Sequence, residues 1–253
     1  MWQPVNINQK GRLYMKNPFD YFDKIFCINL DSRPDRWEQV QKEFDKIGIL
    51  NKVERFSART SKNEGGPTGK NVRGKLKWKN LDGTIMSHMS CVKYAKENNL
   101  DNVFIFEDDV YFKDYDKNKF QTALNSLKNE DWNLFFLGGN IINQEINNKV
   151  EKKSDDLYKV NVPIYAIHSY AVNQSVYNRI LRNHYLRVDW EMEDVISHHK
   201  RVWSMDKYLG DKINKKHIMR NPMCFQKEGY SNINREVIEQ TKLSIKSYED
   251  LFE

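Results

Sequence analysis

The chain has 253 residues, a net charge of +6 and a mean hydropathy of −0.81. That length can bury a sizeable core without a disulfide or structural metal, and an aromatic content of 13% argues against disorder, because rings are what a disordered chain lacks. Its longest apolar runs, such as Phe104-Ile105-Phe106, fall far short of the ~20 residues of a membrane span.

Three scattered cysteines (Cys27, Cys91, Cys224) fit neither a disulfide framework nor a zinc spacing, and read as buried or free thiols in a reducing compartment. The opening Met1-Trp2-Gln3-Pro4-Val5-Asn6 lacks an apolar signal core. A cytoplasmic setting is expected, with a peripheral membrane or viral setting as alternatives.

Lys24 to Leu30 is an apolar run of strand length. It enters Asp31-Ser32-Arg33-Pro34-Asp35, where Ser32 and Asp35 resemble a capping box and Pro34 suits a first helical turn. Trp37, Val40, Phe44 and Ile47 recur at helical spacing up to Gly48. Val53 to Phe56 reads as a second strand. Thr60 to Asn80 carries Gly65, Gly66, Gly69, Gly74 and Pro67, and is expected to be a long mobile basic loop. Asp82 is expected to cap a helix that bears Ile85, Met89, Val92 and Ala95 and stops near Asn98-Asn99. Asn102 to Phe106 is a buried strand running into Glu107-Asp108-Asp109.

Phe120, Ala123, Leu124 and Leu127 mark a further helix, and Leu134 to Leu137 a strand ended by Gly138-Gly139. Leu157 to Tyr170 alternates as a strand, and Asn173 caps a helix through Val176, Ile180 and Leu181. Met205, Tyr208, Leu209 and Ile213 predict one more helix before a strand near Ile218 to Phe225, and a helical tail is expected over 235–253. Strands alternate with helices over most of the chain, which predicts an α/β fold with a largely parallel sheet. In such sheets ligands sit beyond the carboxyl ends of strands.

Glu107-Asp108-Asp109 stands at one such end. Side chains alternate across an extended segment, so Glu107 and Asp109 share one side. Three packed anions repel, and a hard divalent cation sharing substrate phosphates would relieve them; the plain alternative is a solvated acidic turn. Arg33 and Arg36 open a helix directly after the first strand. Guanidinium groups suit diphosphate oxygens and a helix start adds free amide donors, whereas the plain alternative is a surface pair bridging Asp31 and Asp35.

Ser87 and His88 follow Gly83 on a helix, where a lone His is more often structural than catalytic, and His198-His199 lacks a third spaced ligand. No Gly-x-Gly-x-x-Gly follows the first strand. Gly69-Lys70-Asn71 fails as a phosphate loop, because Glu64 and Asn71 stand where Gly and Ser or Thr are needed. There is no Ser-centred nucleophile elbow.

Taken together these segments resemble glycosyltransferase family 25, which includes bacterial lipooligosaccharide and collagen-modifying galactosyltransferases. Ile28-Asn29-Leu30-Asp31-Ser32-Arg33-Pro34-Asp35-Arg36 is similar to the family's opening strand-to-helix motif, and Glu54-Arg55-Phe56-Ser57-Ala58 to its second-strand motif. Gly83-Thr84-Ile85-Met86-Ser87-His88 resembles its Gly-Cys-x-x-Ser-His segment, with Thr84 where Cys is usual. Phe104-Ile105-Phe106-Glu107-Asp108-Asp109-Val110 matches its Glu-Asp-Asp element. Ala166-Ile167-His168-Ser169-Tyr170-Ala171-Val172 is similar to its aromatic strand. Asn221-Pro222, Gln226 and Ser231-Asn232-Ile233 resemble its closing pattern, with Asn232 in place of Asp.

The resemblance implies a single domain of GT-A fold, with a Rossmann-like mixed, mostly parallel sheet flanked by helices and a core at about 22–234, together with a UDP-sugar donor and Mn²⁺ or Mg²⁺. It implies a metal and diphosphate site at Glu107, Asp109 and Gln226, and a nucleotide pocket lined by Asn29, Leu30, Arg33, Arg36, Ser57, Ser87, His88 and Asp108. The catalytic base of an inverting transfer would be one carboxylate among Asp206, Asp189, Asp194 and Glu191, left open here. The implied reaction moves a hexose, galactose or glucose, to a glycan or protein hydroxyl, and lipopolysaccharide biosynthesis is one setting. A degenerate member that binds the nucleotide-sugar without turnover is the alternative, suggested by Gln226 and Asn232.

Segment 60–80 holds Lys62, Lys70, Arg73, Lys75, Lys77 and Lys79 against Glu64, so nearly all the excess charge lies there. It reads as a lid or acceptor-binding loop facing a diphosphate. Basic residues interleave with an aromatic only at Arg73 to Lys79 around Trp78, too little to predict a nucleic-acid partner.

Overall fold

The computed structural model describes residues 17–59, 72–141, 150–182, 187–189, 194–197, 204–227, 229–230 and 237–238, with side chains for 17–59, 83–141, 150–182 and 204–227. The apolar run read as the first strand forms β1 (Lys24–Asn29) and feeds α1 (Pro34–Lys46); β2 (Val53–Ser57) returns beside it. Next come α2 (Val72–Glu97), β3 (Asn102–Glu107), β4 (Val110–Phe112), α3 (Lys117–Leu127), β5 (Leu134–Phe136) and β6 (Asn140–Ile141). β7 (Val150–Lys152), β8 (Leu157–Val160), β9 (Ile164–Tyr165) and β10 (Ser169–Asn173) precede α4 (Tyr177–Leu181), β11 (Arg187–Asp189) and β12 (Asp194–Ser197). Last are α5 (Met205–Lys212), β13 (Lys216–Met219), β14 (Cys224–Gln226), β15 (Gly229–Tyr230) and β16 (Val237–Ile238).

Eight strands form one sheet in the order β2-β1-β3-β10-β5-β13-β8-β7. β10 is antiparallel to both β3 and β5, and β8 to both β13 and β7, while the remaining pairings are parallel. Six of the eight strands therefore run one way and two are reversed, which gives the mixed, mostly parallel sheet expected.

The period of two along each strand divides the core into two faces. Phe26, Val103, Ile105, Phe136 and Val172 lie on one face, where α2, α4 and α5 add Met89, Val92, Ile180 and Leu209. Ile25, Cys27, Phe104, Phe106 and Phe135 lie on the other, covered by Val40 and Phe44 of α1 and by Phe120 and Leu124 of α3. All three cysteines are buried free thiols. No helix among the described residues is long and apolar enough to cross a membrane.

Five expectations are corrected. The mobile loop expected over 60–80 is helix from Val72 onward, so Asp82 lies inside α2 and does not cap it. Gly74 costs only ~1 kcal/mol in a helix, and the proline-free run of Lys and Leu that follows outweighs it; residues 60–71 lie outside the described residues. The capping box at Ser32 and Asp35 does not form. Arg33 takes the cap position without a side-chain capping bond, and its guanidinium instead holds Asp35 at 2.8 and 2.9 Å.

The strand expected over 157–170 is split into β8, β9 and the start of β10. Pro163 cannot donate to a ladder, and Ala166 turns the chain at φ +55°. The strand near 218–225 is likewise two, β13 and β14, separated around Pro222. Within the tail expected to be helical, Val237–Ile238 is a strand paired with β15.

Candidate functional site

β1 and β3 are parallel neighbours with Ile28 opposite Glu107, so Asn29 and the Glu107-Asp108-Asp109 run meet at the carboxyl edge of the sheet. The Glu107 N–H donates to the His168 carbonyl at 3.0 Å, which ties the turn to the chain entering β10. β4 then pairs with β14, with Val110 opposite Gln226, and this brings Gln226 beside Asp109.

Each acid has its own partners. Asp108 accepts from Asn29 Nδ2 at 2.6 Å and from Arg36 Nη1 at 3.1 Å. The same guanidinium lies 3.8 Å from Asp109 Oδ2, which accepts Gln226 Nε2 at 2.9 Å. Glu107 Oε1 lies 3.2 Å from His88 Nε2, and His88 Nδ1 lies 2.9 Å from the Tyr170 hydroxyl. With Nε2 carrying its proton, His88 donates to Glu107 and accepts from Tyr170.

Burial is the main force on all three acids. It pushes the Asp109 carboxyl up to about 7, with the neighbouring charges of Glu107 and Asp108 adding to the rise against Gln226 and Arg36. It also raises Asp108, against the Asn29 bond and Arg36. Burial would raise Glu107 too, but the hydrogen bond from His88 and the positive charge of Arg36 hold it below the ordinary value. Burial lowers the His168 ring below its usual range.

Asp109 Oδ1 is buried without a hydrogen-bond partner among the described residues. An orphaned carboxylate oxygen fits one protein contact to a hard cation, and such cations commonly complete their shell with substrate phosphates. No cluster of three or more His, Cys, Asp or Glu side chains able to hold an ion occurs among the described residues. Among the described residues the site thus offers a cation one orphaned oxygen and no all-protein cage.

Ser57 and Leu30 hold the β1 edge locally: Ser57 donates to Asp31 at 2.7 Å, and the Leu30 carbonyl accepts the Arg33 N–H at 2.9 Å. Arg33 turns to Asp35 and Arg36 to Asp108, so the two arginines take the surface and the site reading respectively. Ser87 donates to the Gly83 carbonyl at 2.6 Å and accepts the Arg59 N–H at 2.8 Å, pinning the chain after β2 to α2.

Asp206 accepts from Ser204 Oγ and from the Lys207 N–H on one oxygen. Asp189 and Asp194 stand opposite each other in the β11–β12 register, and Glu191 lies outside the described residues. Sequence reasoning assigned no role to Arg55, which donates to Asn29 Oδ1 at 2.8 Å and to Asp31 at 2.7 Å. Nor did it assign one to Tyr170 or His168. Their segment was singled out, but nothing in it pointed to His88 or Glu107.

Known proteins share parts of this chain. The sequence model described as glycosyltransferase family 25 (LPS biosynthesis protein) matches residues 22–186. Procollagen galactosyltransferase 1-A of Xenopus laevis is 32% identical over 148 residues, covering 53% of this chain and 24% of that protein. Its 1-B counterpart is 28% identical over 129 residues, covering 46% and 21%. The match thus spans about a quarter of the length of these relatives. Among solved structures, a glycosyltransferase involved in the glycosylation of the major capsid of PBCV-1 gives a TM-score of 0.32 at 11% identity, covering 62% of each chain. Mannose-1-phosphate geranyltransferase from Thermus thermophilus gives 0.36 at 10% identity, covering 64% of this chain and 60% of that one.

Proposed function

Because the chain belongs to glycosyltransferase family 25, we propose that it moves a hexose, galactose or glucose, from a UDP-sugar to a glycan or protein hydroxyl with inversion. The observation that carries this reading is the carboxylate cluster at the strand ends, with Asp109 Oδ1 unsatisfied and Arg36 at its rim. Arg36 neutralises Asp108 and Asp109 and presents donors suited to a diphosphate. Asn29 fixes Asp108 from below, and the Tyr170–His88 pair fixes Glu107.

A Mn²⁺ or Mg²⁺ ion would be held by Asp109 and Glu107, with Gln226 steadying Asp109, and supplies charge neutralisation for the leaving diphosphate. Deprotonation of the acceptor hydroxyl falls to one carboxylate of Asp206, Asp189, Asp194 and Glu191. Both bonds to Asp206 fall on one oxygen, which leaves the other for a proton.

A panel of UDP-sugars with Mn²⁺, read as UDP release with and without candidate acceptors, tests the reading. One sugar should be turned over, and EDTA should abolish the release. Full activity in EDTA would remove the metal from the account. Tight donor binding without release across the acceptor panel would favour the second reading, a binding protein, for which the amide of Gln226 beside Asp109 is the supporting feature.

A further inference from the structure

A polar cleft, of about 440 Å³, opens between β9, α5 and the start of β13. That volume is within the usual range for small-molecule sites. It is separate from the carboxylate cluster. The register runs Lys216 to Leu134, Leu134 to Val172 and Val172 to Val103, so Lys216 lies level with the start of β3, three strands away. Glu107 is four residues further along β3, so the two lie roughly 20 Å apart at ordinary strand rise and spacing.

Lys216 is the unusual member of the lining. The residue is 5% exposed, and its ammonium has one partner among the described residues, the carbonyl of Gly210. An ammonium carries three donors, so two have no partner among the described residues, and Lys216 is one of the residues that line the cleft. Burial without an anion costs free energy, and holds the Lys216 ammonium down at about 8, with Asp211 opposing the drop. Gly210 is needed for this geometry. A Cβ there would stand 2.5 Å from the Ile164 carbonyl oxygen and 3.0 Å from the Tyr165 ring. Glycine lets α5 lie against β9 and leaves its own carbonyl to Lys216.

The rest of the lining suits a sugar. Tyr165 donates to Asp211 at 2.8 Å, which orients a carboxylate as an acceptor for hydroxyls, and the amides of Asn161 and Asn214 add donors and acceptors. Lys207 and Lys216 against Asp211 leave the lining positive.

We propose that this cleft binds a monosaccharide-sized acidic ligand, a sugar unit whose carboxylate or phosphate sits on Lys216 and whose hydroxyls meet Asp211, Asn161 and Asn214. The proposal does not rest on the transfer reaction. Calorimetric titration of the full chain at pH 7 with D-glucuronate, glucose 6-phosphate and glucose tests it. One or both acids should bind at least about tenfold more tightly than glucose, and the tighter acid names the group preferred.

Lys216→Met should lose that preference while UDP-sugar turnover stays unchanged. If the variant fails to fold, the wild type decides: at pH 8 the bound acid should draw a proton onto Lys216, seen as a heat that varies with buffer ionisation enthalpy. Equal binding of glucose and the acids, no acid binding at tens of millimolar, an unaltered Lys216→Met, or no proton uptake at pH 8 would each overturn the proposal.

Discussion

Asp109→Asn should stabilise the folded chain in a pH-dependent way. The folded Asp109 carboxyl is pushed from 3.8 up to about 7, first by burial and then by Glu107. Folding is therefore unopposed by this group below pH ~4, and stability is lost as pH rises through about 7. At ~1.4 kcal/mol per pH unit the penalty is roughly 4 kcal/mol at pH 8 and below about 2 at pH 5. The side chain keeps 20% exposure, which screens part of the repulsion, so a gain of about 2–4 kcal/mol at pH 8 is expected. The isosteric amide removes the charge and still offers Gln226 an oxygen. Thermal unfolding in EDTA should show the variant melting roughly 5–10 °C above wild type at pH 8, with a much smaller gap at pH 5. An equal gap at both values, or a less stable variant at pH 8, would refute this reading of the site.

Arg36→Met takes the cation from Asp108 and Asp109, and should cost about 1–3 kcal/mol in urea unfolding at neutral pH and weaken UDP binding in a direct titration. Gly210→Ala drives a Cβ to 2.5 Å from the Ile164 carbonyl, and should cost about 2 kcal/mol or more by the same assay. Leu124→Ala empties a fully buried position on the α3 face, and a loss of about 3–4 kcal/mol is expected. Lys216→Met removes a buried ammonium held down at about 8. Wild-type stability should rise by about 1 kcal/mol from pH 7 to pH 9, as the folded lysine loses its proton before the unfolded one, and the variant should lack this rise.

The parts of the fold legible in the sequence are those where burial imposes a period. β1 and β3 read as unbroken apolar runs because both faces of the sheet are covered, and α3 showed its stripe at Phe120, Ala123, Leu124 and Leu127. The start of α2 was missed because Gly74 and Pro67 outweighed helix-forming lysines in a segment with little apolar pattern. The splitting of 157–170 turns on one proline and one left-handed alanine, which periodicity does not register.

At the site, the acids and Arg36 were visible because they are adjacent in sequence or sit at a strand-to-helix junction. Arg55 and Tyr170 were not, since their roles come from β2 pairing with β1 and β10 pairing with β3. The buried ammonium of Lys216 was hidden for the same reason. Its partner Gly210 lies on a helix, and its cleft is lined from three separate elements.

The central claim is that the Glu107-Asp108-Asp109 edge of the sheet is where a nucleotide-sugar donor is activated. The most direct measurement compares UDP release by wild type and by Asp109→Asn on the UDP-sugar that the wild type prefers, with Mn²⁺ present and both proteins shown to be folded. The account predicts that the variant, though more stable, loses at least about a hundredfold in rate. A variant that turns the donor over at the wild-type rate would contradict it.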